Sequence, residues 1–150
     1  MASISLGRCG RSLPWVLALA TFLTAAIVAT EQAPLTELAP LRWQHRIILV
    51  DGEVTDAVER LRAAQPAIDA RDIVWFVAHP TGLLSNYPGR TGGALAQRLH
   101  ERYFSRSDAK VFLIGKDGEI KASDQVLDLP TLFARIDAMP MRRREMEAAK

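Results

Sequence analysis

Few residues in this chain have types and spacing that could do chemistry. The stretch His79-Pro-Thr-Gly-Leu-Leu-Ser-Asn-Tyr-Pro-Gly-Arg-Thr-Gly-Gly93 gathers a histidine, a tyrosine and an arginine just before an amphipathic run. Backbone N–H groups at a helix start, with a guanidinium beside them, suit an anion. Arg90, Thr91, Gly92 and Gly93 are therefore a candidate anion-binding set. The pattern is no Walker motif, so an ordinary surface loop is the competing reading. An enzyme site here would draw on His79, Tyr87 and Arg90 together. Asp51, Glu53 and Asp56 follow an apolar run, and Asp51 or Thr55 at that point reads as a helix cap rather than half of an acid–base pair. His45, His79 and His100 are the only histidines, and none stands three or four residues from another. Without cysteine support they predict no metal site. No catalytic residue and no cofactor is assigned.

The cysteine content narrows the chemistry further. Cys9 is the only cysteine among 150 residues. It lies before Leu13–Ala29, an apolar run of 17 residues preceded by Arg8 and Arg11 and followed by small residues. That is the pattern of a secretory signal, with residues 1–30 removed on export. The alternative is an inner-membrane anchor through residues 13–29, at the short limit for a spanning helix. If the segment is cleaved, the rest has neither disulfide nor thiol nucleophile in a periplasmic or secreted location. It also loses the net charge of +2, because residues 1–30 hold two basic and no acidic residues. What is left is balanced, and offers no footprint for nucleic acid. An envelope protein is the expected kind of partner, with no stable membrane insertion after cleavage.

The elements that must position these groups follow from periodicity. Residues 31–40, with two prolines, read as a linker or lead-in, residues 41–146 as one domain and 147–150 as a tail. Arg46–Val50, Ile73–Ala78 and Val111–Ile114 are apolar runs that predict buried strands. Val54, Ala57, Val58, Leu61 and Ala64 predict one amphipathic helix; Leu95, Leu99, Arg102 and Tyr103 predict a second, and Leu129, Leu132, Phe133 and Ile136 a third that ends at Met139-Pro140. Gly115-Lys-Asp-Gly118 predicts a tight hairpin into an edge strand, Glu119–Ala122. Residues 79–93 are expected as a loop. Trp43 and Trp75 read as core or core-edge aromatics, and Arg142–Arg144 as part of a solvated, mixed-charge helix face. The order β-α-β-α-β-β-α predicts an α/β fold, a three-layer α/β/α sandwich on a four-stranded mixed sheet. Trp75, Phe76, Val111, Phe112, Leu113, Phe133 and Ile136 are expected to be mutually buried.

Leu41-Arg-Trp-Gln-His-Arg-Ile-Ile-Leu-Val50, the Gly-Lys-Asp-Gly turn and Ile136-Asp-Ala-Met-Pro-Met-Arg-Arg-Arg-Glu-Met146 together resemble exported bacterial thioredoxin-like proteins of unknown function. That group is similar to peroxiredoxin-like modules of sushi-repeat and coiled-coil domain-containing extracellular proteins. The resemblance spans residues 38–146 and implies a thioredoxin-like fold and export, without a substrate or catalytic set. In such enzymes the active cysteines sit just after the first strand. Here that slot reads Asp51-Gly-Glu-Val-Thr-Asp56, which holds no thiol. The proline that usually precedes the third strand is also missing from Ser105–Lys110. Two functions follow: a non-catalytic binding or interaction module, or an enzyme or small-anion binder using the 79–93 loop.

Overall fold

A computed structural model describes residues 33–150; the export segment expected over residues 1–30 lies outside them. The strands are β1 (Arg46–Asp51), β2 (Ile73–His79), β3 (Gly82–Ser85), β4 (Val111–Ile114) and β5 (Ile120–Asp124). The α-helices are α1 (Ala57–Ala63), α2 (Gln65–Asp69), α3 (Leu95–Leu99), α4 (Leu129–Asp137) and α5 (Pro140–Ala148). One mixed sheet runs in the order β3-β2-β1-β4-β5. Only β1 and β2 are parallel, with Arg46 opposite Ile73 and Asp51 opposite Ala78. β4 runs antiparallel to β1, β5 to β4, and β3 to β2.

The sheet has five strands rather than four, because part of the expected 79–93 loop is the edge strand β3. Gly82 pairs with His79, so Pro80 and Thr81 form a two-residue turn. Beyond Ser85 side chains take over the ladder. The Trp75 N–H donates to Asn86 Oδ1 at 2.8 Å, and Ser85 Oγ donates to the Trp75 carbonyl at 2.7 Å. A short strand rich in breakers and continued by Asn and Ser has no period-2 signal to read.

Alternation along the strands divides the core. Ile48, Val50, Trp75, Val77, Val111 and Leu113 face one side, where Leu61 of α1, Ile68 of α2 and Leu132 and Ile136 of α4 cover them. Ile47, Leu49, Val74, Phe76, Phe112 and Ile114 face the other, under Leu95 and Leu99 of α3 and under Leu35, Leu41 and Phe104. The seven residues expected to be mutually buried are thus split between two faces, Phe76 and Phe112 on one and the other five on the opposite one, with Phe133 only half-buried. Period-2 side-chain direction makes this split inevitable for neighbours such as Trp75 and Phe76. Within the expected 31–40 lead-in, Leu35 is buried and bridges to Thr91, so this segment belongs to the second face.

The helix ends also depart from expectation. Asp51 closes β1, and neither it nor Thr55 caps a helix. Asp56 stands at the N-cap of α1 in a left-handed conformation, with no side-chain cap bond. Pro66 lies in the first turn of α2, a separate short helix. Asp128 is the side-chain cap of α4, accepting the Thr131 N–H at 3.1 Å. Pro140 opens a further helix, α5, which adds one element to the expected order.

α5 carries no buried residue and is held by ions. Arg46, at the start of β1, is 1 % exposed. Its guanidinium donates to the Arg71 carbonyl at 2.9 Å and to Glu145 Oε1 at 3.1 Å. Lys116 Nζ, from the hairpin, donates to the same oxygen at 2.8 Å and to Asp72 at 2.9 Å. Arg71 grips Asp137 at the end of α4 through two nitrogens, at 3.0 and 2.6 Å. Burial works to raise the Glu145 pKa, but the bonds from Arg46 and Lys116 outweigh it and bring it down to about 2.

Glu145→Ala would leave the Arg46 charge buried and uncompensated, so a loss of about 3–5 kcal/mol is expected, and Arg46→Met/Glu145→Met should recover much of it. Urea unfolding of the two variants checks this; a double variant no better than the single would contradict it. Because the folded-state pKa of Glu145 is depressed, its stabilisation is complete above its ordinary value of 4.5 and is lost as pH falls towards about 2. Glu145→Gln should flatten the stability profile in that acid window. Phe112→Ala, which empties an aromatic site edge-on to Phe104, should cost about 3–5 kcal/mol; a loss below about 1 kcal/mol would contradict its placement in the core.

Candidate functional site

In open α/β sheets ligands gather outside the carboxyl ends of the parallel strands. Here that end brings together Asp51 at the close of β1, Gly52 just after it, His79 at the close of β2, and Lys110 just before β4. The Asp51 carboxylate is 6 % exposed. Its Oδ1 accepts the Glu53 N–H at 3.0 Å, and its Oδ2 takes Lys110 Nζ at 2.9 Å. The same ammonium reaches Glu53 at 2.7 Å. Gly52 is required by close approach, since a Cβ there would lie 2.3 Å from His79 Nδ1.

The electrostatics of this group are closed. Burial tends to raise the Asp51 pKa; the Glu53 N–H and Lys110, with a smaller contribution from His100, bring it below the ordinary value instead. Lys110 is pushed well above its ordinary value by its bonds to Glu53 and Asp51. Proton transfer is best served by a group that titrates near the working pH. Asp51 and Lys110 are both driven away from neutrality, so the pair serves as a charge clamp between β1 and β4 rather than an acid–base couple.

The opposite end of the sheet is open. A cleft of about 420 Å³ lies between the 36–45 segment, α3 with its following π-turn (His100–Phe104), and the β4–β5 hairpin. Ile47, Leu95, Leu99 and Ile114, all buried, form its floor. Arg42, Arg98 and Arg102 stand around it, with His45 and Tyr103. Arg42 lies across the hairpin turn: its Nε donates to the Asp117 carbonyl at 3.0 Å, where a Cβ on Gly118 would come within 2.9 Å of that nitrogen. Gly118 has φ +80°, which glycine adopts without penalty. Beside it Trp43 has φ +66° and donates its N–H to the Lys116 carbonyl at 2.6 Å. A bulky residue in the left-handed region carries about 1–3 kcal/mol of strain, a feature that clusters at ligand sites. Trp43 is 63 % exposed, outside the core position expected for it.

The sequence-derived candidates are spread over the surface. Arg90 and Thr91 run beside Leu35, whose N–H donates to the Arg90 carbonyl at 2.8 Å. The Gly92 N–H donates to the Leu35 carbonyl at 2.8 Å, so that amide is engaged within the fold. Gly93 has open space where a Cβ would stand. Tyr87 leans towards Phe76, with ring centroids 6.5 Å apart. The three histidines divide between the two ends, His45 at the cleft and His79 at the clamp, with His100 acting on Asp51. Among the described residues no group of three or more His, Cys, Asp or Glu could hold a metal ion, and no helix is long and apolar enough to cross a membrane. Of the Arg142–Arg144 cluster, Arg142 turns to Asp137 at 3.5 Å while Arg143 and Arg144 are exposed. Sequence reasoning missed the Asp51–Lys110 pair, which is 59 residues apart. It also missed the arginine-rimmed cleft, for which the four-residue spacing of Arg98 and Arg102 was the available signal.

This is a mixed α/β domain with a charge clamp at one end of its sheet and an arginine-bearing cleft at the other. Residues 37–145 match the family described as Domain of unknown function (DUF4174), and the chain belongs to that family. No curated protein and no solved structure matches it.

Lys110→Met should raise the Asp51 pKa markedly, because burial then acts unopposed by the ammonium. Carboxyl NMR titration reads this directly. An Asp51 pKa unchanged by the substitution would contradict the clamp.

Proposed function

We propose that this protein is an exported, non-redox binding module built on a thioredoxin-like fold. Setting aside β3 and α5, and counting α1 with α2 as one layer element, the chain keeps the order β-α-β-α-β-β-α on a mixed sheet, which supports that fold. The observation that carries the functional reading is the clamp itself. The end of β1, next to where thioredoxin-like enzymes keep their thiolate, holds a buried aspartate already neutralised by Lys110. A thiolate placed beside that carboxylate would be disfavoured. Binding is assigned to the cleft rather than to Arg90–Gly93, because the Gly92 amide is engaged and α3 spans only five residues. The apolar run before residue 30 supports export to the periplasm or beyond, and an envelope partner.

Thiol–disulfide exchange requires a thiolate, so the protein should neither reduce insulin nor consume peroxide, and Cys9→Ser should change nothing. Turnover by the Cys9→Ser chain would overturn the non-redox reading. N-terminal sequencing of the protein from the expressing cell should give a start between residues 27 and 34. An intact Met1 or Ala2 in the membrane fraction would replace export with anchoring through residues 13–29.

A further inference from the structure

We infer that the cleft between the 36–45 segment, α3 and the β4–β5 hairpin binds an amphiphilic organic anion, a carboxylate on a compact apolar body. This rests on the binding-module reading and names its ligand. Three observations carry it.

The first is the charge balance around the rim. Asp117 and Glu119 both bond to Lys121, and Glu37 lies 3.7 Å from Arg98. Asp117 and Glu119 thus share the Lys121 ammonium, and Glu37 is paired with Arg98. Arg42 and Arg102 have no carboxylate partner among the described residues. Arg42 bonds only a backbone carbonyl and lies 5.8 Å from the Trp43 ring centroid. Arg102 lies 5.6 Å from the Tyr103 ring centroid. Two guanidiniums laid against aromatic rings keep their outward N–H donors available, a geometry that matches the two oxygens of a carboxylate.

The second is the floor. Ile47, Leu95, Leu99 and Ile114 offer an apolar surface below those cations. A bare inorganic anion would leave that surface wet, whereas an apolar body would cover it. A volume of about 420 Å³ admits a bicyclic ring or a short chain, and excludes a folded partner.

The third is the way the rim is built. Trp43 is held in a left-handed conformation by its bond to Lys116, and Gly118 makes room for the Arg42 side chain. Both features fix Arg42 at the mouth of the cleft. Trp43 itself is 63 % exposed and lies outside both core clusters.

The test is calorimetric titration of the full chain with 2-naphthoate, its uncharged analogue 2-naphthalenemethanol, and sulfate. Naphthoate should bind saturably, the alcohol at least about tenfold more weakly, and sulfate should fail to displace naphthoate. Arg42→Gln/Arg102→Gln should weaken naphthoate at least about tenfold with its melting temperature unchanged, while Arg144→Gln, away from the cleft, should bind as the parent does. Equal affinity for acid and alcohol, full displacement by sulfate, unaltered affinity in the double variant, or no naphthoate binding up to about 5 mM would each overturn the inference. Failure of naphthoate in a chain that also leaves insulin unreduced removes the ligand class alone. Insulin reduction by the Cys9→Ser chain removes the module reading instead.

Discussion

A single buried guanidinium orders much of this structure. Arg46 begins the central strand, where burial of a charge is tolerated only with partners in place. Those partners come from the 71–72 turn, directly and through Lys116, and from α5, which is 99 residues away in sequence at Glu145. The parallel pairing of β1 with β2, the position of the β4–β5 hairpin and the docking of a C-terminal helix without an apolar face all converge on this one charge. A helix with no buried residue of its own stays in place because it completes an ion network that the strand requires.

The two ends of the sheet differ because their charges are used differently. At the carboxyl end of β1, Lys110 satisfies Asp51 and Glu53, and His79 closes over Gly52. Asp51, Glu53 and Lys110 are already paired with one another, which favours rigidity over chemistry. At the other end the hairpin that supplies Lys116 to the ion network also supports Arg42 through the Asp117 carbonyl. The same turn thus braces the interior and sets the rim of the cleft.

Much of the fold was legible from local pattern. Continuous apolar runs gave β1, β2 and β4, and the Asp-Gly turn gave the hairpin, since buried strands and tight turns have strong local signatures. β3 was hidden because Pro80 sits in its turn, Gly82 begins it, and Asn86 extends it by side-chain bonds that no periodicity records. α5 was legible only as a mixed-charge helix face around Arg142–Arg144 and was left out of the element order, because it buries nothing. The site was less legible still. Asp51–Lys110 and Arg46–Glu145 join residues far apart in the chain, and charged residues at such distances carry no local mark of their pairing. The short motifs around Arg46 and Glu145 that suggested a family hold two partners of the ion network.

Amide hydrogen exchange in Glu145→Gln at neutral pH tests most directly whether this network organises the domain. If it does, protection will fall not only in Pro140–Ala148 but also along Arg46–Asp51 and Val111–Ile114, since the buried guanidinium loses its counter-charge. Loss of protection confined to α5, with β1 and β4 exchanging as in the parent protein, would contradict the account and reduce the network to a surface tether for the last helix.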